Sequence, residues 1–121
     1  MITNFENITS RLSDQEMNCL EIVKTIINIY STKSIPVKGS FIVEKVKRHF
    51  PGFTASRLRK IINYIRANGI SPIVATERGY YIAESISDID SQIKSLHERA
   101  SAIENSAKGL ENYKRRISSL V

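Results

Sequence analysis

The side chains able to do chemistry are few and scattered. His49 and His97 have no Cys or carboxylate at metal-ligand spacing, and the lone Cys19 stands mid-way along an apolar helical face, where an inert buried thiol is expected. Asp14 and Glu16 belong to a helix cap, and Asp88 and Asp90 to a helix's first turn, where acids suit the macrodipole. Neither a phosphate-cradling glycine loop nor a zinc-type cysteine pair is present. No catalytic centre, metal, cofactor or small-molecule site is therefore expected. Positive charge is what is concentrated. Residues 34–69 carry Lys38, Lys45, Lys47, Arg48, Arg57, Arg59, Lys60 and Arg66 against Glu44 alone, +7 of a total of +6, and the flanking stretches offset the excess. Such a block is the electrostatic footprint of a polyanion partner; the alternative is a well-solvated surface.

The elements that must position these residues follow from spacing. At 121 residues, 41% hydrophobic with 5 Gly and 3 Pro, the chain has the composition of a folded domain with an appendage. Its longest uncharged run, residues 67–76, contains Gly and Pro and is too short to span a bilayer. Residues 1–10 lack the pattern of a secretory signal, and one cysteine suits a reducing compartment, so a cytoplasmic location is expected. Residues 1–11 read as a tail. Ser13 and Glu16 form a capping box, with Leu12 stapled on Met17. The helix they start places Cys19, Leu20, Ile22, Val23, Ile26, Ile27, Ile29 and Tyr30 on one side and ends near Tyr30. Ile35-Pro36-Val37 is a short apolar segment suited at most to a sheet edge. A second helix runs from about Ser40 to His49, with Ile42, Val43, Val46 and Phe50 inward and Glu44, Lys45, Lys47 and Arg48 outward.

Phe50-Pro51-Gly52-Phe53 suits a type II turn with Gly52 at positive φ. Thr54 then caps a third helix, on which Phe53 is stapled to Leu58. Leu58, Ile61, Ile62 and Ile65 make its buried stripe, and Gly69 stops it. Two β-prone runs, Ile73-Val74-Ala75 and Tyr80-Tyr81-Ile82-Ala83, flank a polar loop ending in Gly79 and read as a hairpin. Ser85 or Ser87 caps a final helix. Along it Ile86, Ile89, Ile93, Leu96, Ala100, Ile103, Ala107, Leu110, Lys114, Ile117 and Val121 follow at intervals of 3 and 4, a heptad seam with Lys114 its only polar member. At 1.5 Å per residue this helix spans roughly 50 Å, more than the ~30 Å width of the preceding domain. Its seam is expected to self-associate, most simply as a homodimer; Arg99 would face the partner's Glu104 in a parallel pair. The alternative is a different protein bound to the same helix.

The order helix, short strand, helix, tight turn, helix, hairpin over residues 12–84, with Pro51-Gly52, Gly69 and Gly79 where they stand, resembles the winged helix-turn-helix family. Residues 68–83 look like the wing of its small phage-type and bacterial members, in which a long helix often follows. The fold expected is mainly α with a small β-hairpin (α+β), a winged helix-turn-helix over 12–84 and a coiled-coil oligomerisation helix over 85–121. The resemblance implies double-stranded DNA as partner, helix 54–68 in the major groove and wing 73–83 at the minor groove. Arg59 and Asn63 would read guanine and adenine edges; Ser56, Arg57 and Lys60 would meet phosphate. Lys45, Lys47 and Arg48 would lie over flanking backbone, and Arg78 would reach a narrow minor groove. The function expected is a dimeric, sequence-specific transcriptional regulator of phage or bacterial type. A protein-interaction scaffold and a nonspecific nucleic-acid binder in replication or packaging fit the same residues.

Overall fold

A computed structural model describes residues 11–120. The tail expected over residues 1–11 falls outside the described residues apart from Arg11, and the last seam position, Val121, also lies outside them. Helix α1 (Asp14–Tyr30) opens with the capping box in place. Ser13 Oγ accepts from the Glu16 amide at 3.2 Å, and Glu16 Oε1 accepts from the Ser13 amide at 2.8 Å. Leu12 packs on the core, while Met17, expected to be its staple partner, is exposed. The buried stripe is Cys19, Leu20, Val23, Ile26 and Ile27. Two residues expected on that face leave it: Ile29 is 68% exposed and Tyr30 48%. Ile29 stands roughly 120° round the helix from the stripe's centre, and Tyr30, though in phase, lies in the last turn with its ring edge-on to Phe41 at 5.2 Å.

Helix α2 (Gly39–Lys47) is somewhat shorter than expected and buries Ile42, Val43 and Val46. The turn after it closes through a 2.9 Å bond from the Phe53 amide to the Phe50 carbonyl, yet it is not type II. Among the described residues only Gly69 and Gly79 have positive φ, so Gly52 does not. Pro at the second position suits type I and type II alike, and Gly accepts negative φ as readily as positive. Helix α3 (Ala55–Ala67) starts where Thr54 Oγ1 accepts from the Arg57 amide at 3.2 Å, and it buries Leu58, Ile61, Ile62 and Ile65. Its end is a Schellman motif. Gly69, at φ 63°, donates to the Arg66 carbonyl at 3.1 Å, and Ile70 donates to the Ile65 carbonyl at 2.9 Å.

Strands β1 (Ile73–Thr76) and β2 (Gly79–Ile82) pair antiparallel, with Ile73 opposite Ile82 and Thr76 opposite Gly79. Val37 adds a further bridge outside the strands: it and Tyr80 exchange two backbone bonds of 2.8 Å, the residue after Pro36 serving as an edge. This pairing explains Gly79. Its φ is 138°, and a Cβ there would lie 2.2 Å from the Val37 carbonyl oxygen. The three helices close one core around Val23, Ile27, Ile42, Val46, Ile61, Ile62 and Ile65, joined by Phe53 and Ile73. Each such side chain contributes about 1.5–3 kcal/mol through its removal from water.

Helix α4 (Ile86–Ser119) is the last element, and the described chain is mostly helical with a two-stranded antiparallel hairpin, an α+β arrangement. It divides into two compact units, the first ending at Ile86 and the second beginning at Ser87. Among the described residues no helix is long and apolar enough to cross a membrane.

Candidate nucleic-acid interface

The apolar stripe of α3 fixes where its polar side chains point. A helical wheel sets Ser56, Lys60, Asn63 and Ala67 opposite that stripe and Arg57, Arg59 and Tyr64 on its flanks; of these, Arg59 and the small Ala67 are exposed. Ser56, Arg57, Lys60, Asn63 and Tyr64 are half-buried. Arg59 is therefore the long polar side chain that α3 presents most freely. Arg66 faces the other way, donating from Nε to the Ile73 carbonyl at 2.9 Å and so tying α3 to β1.

Lys60 and Arg57 meet a carboxylate that spacing alone does not reveal. Glu16, 5% exposed, accepts from Lys60 Nζ at 2.7 Å through Oε1, and its Oε2 lies 3.8 Å from Arg57 Nε. Arg57 also donates to Gln15 Oε1 at 3.2 Å. The Lys60 side chain is only 14% exposed, so its ammonium is oriented by α1. Burial pushes the Glu16 carboxyl up. The Lys60 hydrogen bond, the Ser13 amide and the Lys60 charge together outweigh that and hold it below the usual carboxylate range. One acid thus offsets part of the positive charge beside Arg59 and ties α1 to α3. Cys19 is buried as expected; burial raises its thiol pKa, the neighbouring Arg57 charge lowers it and Glu16 raises it further, for a net upward shift that suits an unreactive thiol.

The cations outside α3 differ in freedom. Lys45 lies over two rings, 4.8 Å from the Tyr30 centroid and 5.1 Å from that of Phe41, a cation–π clamp that holds its stem down. Lys47 is exposed, 4.0 Å from Glu44 in a loose i,i+3 pair, and Arg48 caps the end of α2 in solvent. Arg78, between the strands, donates to the Ser34 carbonyl at 3.1 Å, so the hairpin tip is tethered to the loop after α1. Lys38, Gly39, Thr76, Arg78 and Tyr80 line a shallow cleft between the start of α2 and the hairpin. His49 is exposed just past α2, and His97 is exposed on α4. Among the described residues no group of three or more His, Cys, Asp or Glu could hold a metal ion.

All the expected oligomerisation residues, Ile86, Ile89, Ile93, Leu96, Ala100, Ile103, Ala107, Leu110 and Ile117, lie on α4. Ile103 is half-buried and the others are exposed, Leu110 at 72% and Ile117 at 50%. Spacing did not mark Glu16, Gln15 or the Tyr30–Phe41 pair as partners of the cations. Glu16 and Gln15 lie more than 40 positions from Lys60 and Arg57, and the Tyr30 ring reaches Lys45 across two helices, so local spacing does not reveal these contacts. No family model, curated protein or solved structure matches the chain.

Proposed function

We propose that the first unit is a winged helix-turn-helix that binds double-stranded DNA with sequence preference. In this reading the chain acts as a dimeric transcriptional regulator, with α3 in the major groove and the hairpin as the wing. The observation that carries the reading is Arg59. It is exposed on a capped helix that follows α2 after a short connection, residues 48–54, that contains the Phe50–Phe53 turn, inside the +7 block. An exposed guanidinium on a rigid helix can bond O6 and N7 of guanine together, which discriminates against other bases by about 1–3 kcal/mol. Asn63, one turn further along, is offered for an adjacent adenine edge, and Ser56 at the helix start for phosphate.

Arg57 and Lys60 have a different role in this account. Held by Glu16, they set the docking angle of α3 and meet phosphate as a partly neutralised pair rather than as two free charges. Lys47, Arg48 and Arg78 supply screened contacts to the flanking backbone. Double-stranded pools of about 30 base pairs, roughly three turns of duplex, cover two half-sites. Enrichment of bound sequences, followed by fluorescence anisotropy of wild type and Arg59→Ala on an enriched duplex, tests the reading. Loss of preference in Arg59→Ala supports it. Equal affinity of wild type for unrelated duplexes would move the protein to the nonspecific binders, and an absence of duplex binding would leave the scaffold reading.

A further inference from the structure

We infer that α4 pairs with α4 of a second copy in the antiparallel sense, in the register that sets Ala100 opposite the partner's Ile103. The inference rests on the self-association proposed above and names its geometry. The seam alternates two sets of positions, Ile86, Ile93, Ala100, Ala107 and Lys114 in one and Ile89, Leu96, Ile103, Leu110 and Ile117 in the other. In a parallel pair every seam residue meets its own copy. Ala100 would then face Ala100, Ala107 face Ala107 and Lys114 face Lys114, so successive layers of the first set bury little apolar volume twice and hold one like-charge contact.

Reversing one helix pairs the first set with the second. Ala100 then meets the partner's Ile103, Ala107 the partner's Leu96, Ile93 the partner's Leu110 and Ile86 the partner's Ile117. Every alanine gains a large branched neighbour, and the register uses the helix from Ile86 to Ile117, nearly its whole length. Lys114 meets the partner's Ile89 and no longer faces another lysine. Beside that layer stands the partner's Asp90, because the flanking positions that follow the second set share one side of an antiparallel interface. The only polar seam residue therefore finds a carboxylate at its own level, twice per dimer. The same side sets His97 near the partner's Glu104 and Asp90 near the partner's Glu111, with Lys114 beside both acids. The parallel match of Arg99 with Glu104 is given up in exchange.

Coverage of the seam is required in any case, since Leu110 and Ile117 are exposed on a single helix. In the antiparallel pair the two Ile86 residues lie about 47 Å apart along the axis at 1.5 Å per residue, whereas a parallel pair brings them side by side.

Sedimentation of the full chain gives the mass, and disulfide trapping gives the orientation. Ala107→Cys alone is expected not to cross-link to itself, while a mixture of Ala107→Cys and Leu96→Cys chains cross-links under mild oxidation. As a second readout, Lys114→Glu is expected to raise the dimer dissociation constant roughly tenfold or more, and adding Asp90→Lys to that variant is expected to restore it. Self-cross-linking of Ala107→Cys in a dimer, or failure of the charge swap to restore association, would overturn the antiparallel pairing and leave the dimeric reading intact. A monomeric mass would overturn both. Duplex binding by the first unit is read separately by anisotropy.

Discussion

Glu16 is a polar residue whose removal should cost the first unit as much as a core truncation. Glu16→Ala takes away the acceptor of the Ser13 amide at 2.8 Å, hence half of the capping box. It also takes away the acceptor of the Lys60 ammonium at 2.7 Å and the charge near Arg57. The cap contributes about 1 kcal/mol. A charge-assisted bond that is largely buried contributes about 1.5–3 kcal/mol, and the upper end is discounted because Lys60 can swing its flexible stem toward water. The expected loss is therefore about 2–4 kcal/mol, which lowers a urea midpoint by about 1–2 M at a slope of roughly 2 kcal/mol per molar. Chemical denaturation followed by circular dichroism measures it, and a cycle with Lys60→Met isolates the pair. The pH dependence gives a second reading. The folded carboxyl titrates below its unfolded value of about 4.3, so its stabilisation is complete above that pH and is lost as pH falls through the folded value. Wild type should therefore lose stability in that acid window and Glu16→Gln should lose less. A loss under about 0.5 kcal/mol in Glu16→Ala, within the range of an ordinary surface change, would refute the assigned role.

Three further outcomes follow from the same geometry. Gly79→Ala should destabilise by about 2–4 kcal/mol, combining a disfavoured backbone region with a collision at the Val37 carbonyl, and thermal melts would show it. Gly69→Ala meets open space, so only its left-handed φ counts, and the same melts should give about 1–2 kcal/mol. Arg59→Ala should leave the melting temperature within about 3 °C of wild type while weakening binding to an enriched duplex by roughly 5- to 150-fold.

The features legible in the sequence are local. The Ser13–Glu16 box, the Thr54 cap and the Gly69 stop each depend on residues a few positions apart, and all three stand as their spacing implied. The apolar stripes of α2 and α3 were equally readable, because periodicity is set by helix geometry. Gly52 marks a limit: Pro51-Gly52 is compatible with more than one turn type, and its residues alone do not choose between them. Lys60 shows a second limit. A wheel places it among outward residues, but its partner lies 44 positions away on α1. Val37 is an intermediate case: its apolar segment suits a sheet edge as its sequence implies, but a bridge one residue long does not reveal Tyr80 as the partner. For Lys45 the two rings that hold it include Tyr30, which periodicity assigned to the core and the structure leaves exposed.

On the proposed reading, α3 and its surrounding cations engage duplex DNA. Anisotropy of labelled duplex pools, titrated at two salt concentrations, tests it most directly. Affinity is expected to fall steeply with salt, as phosphate contacts release counterions, with some sequences retained better than others. No binding at low salt would contradict it and leave the basic block a solvated face.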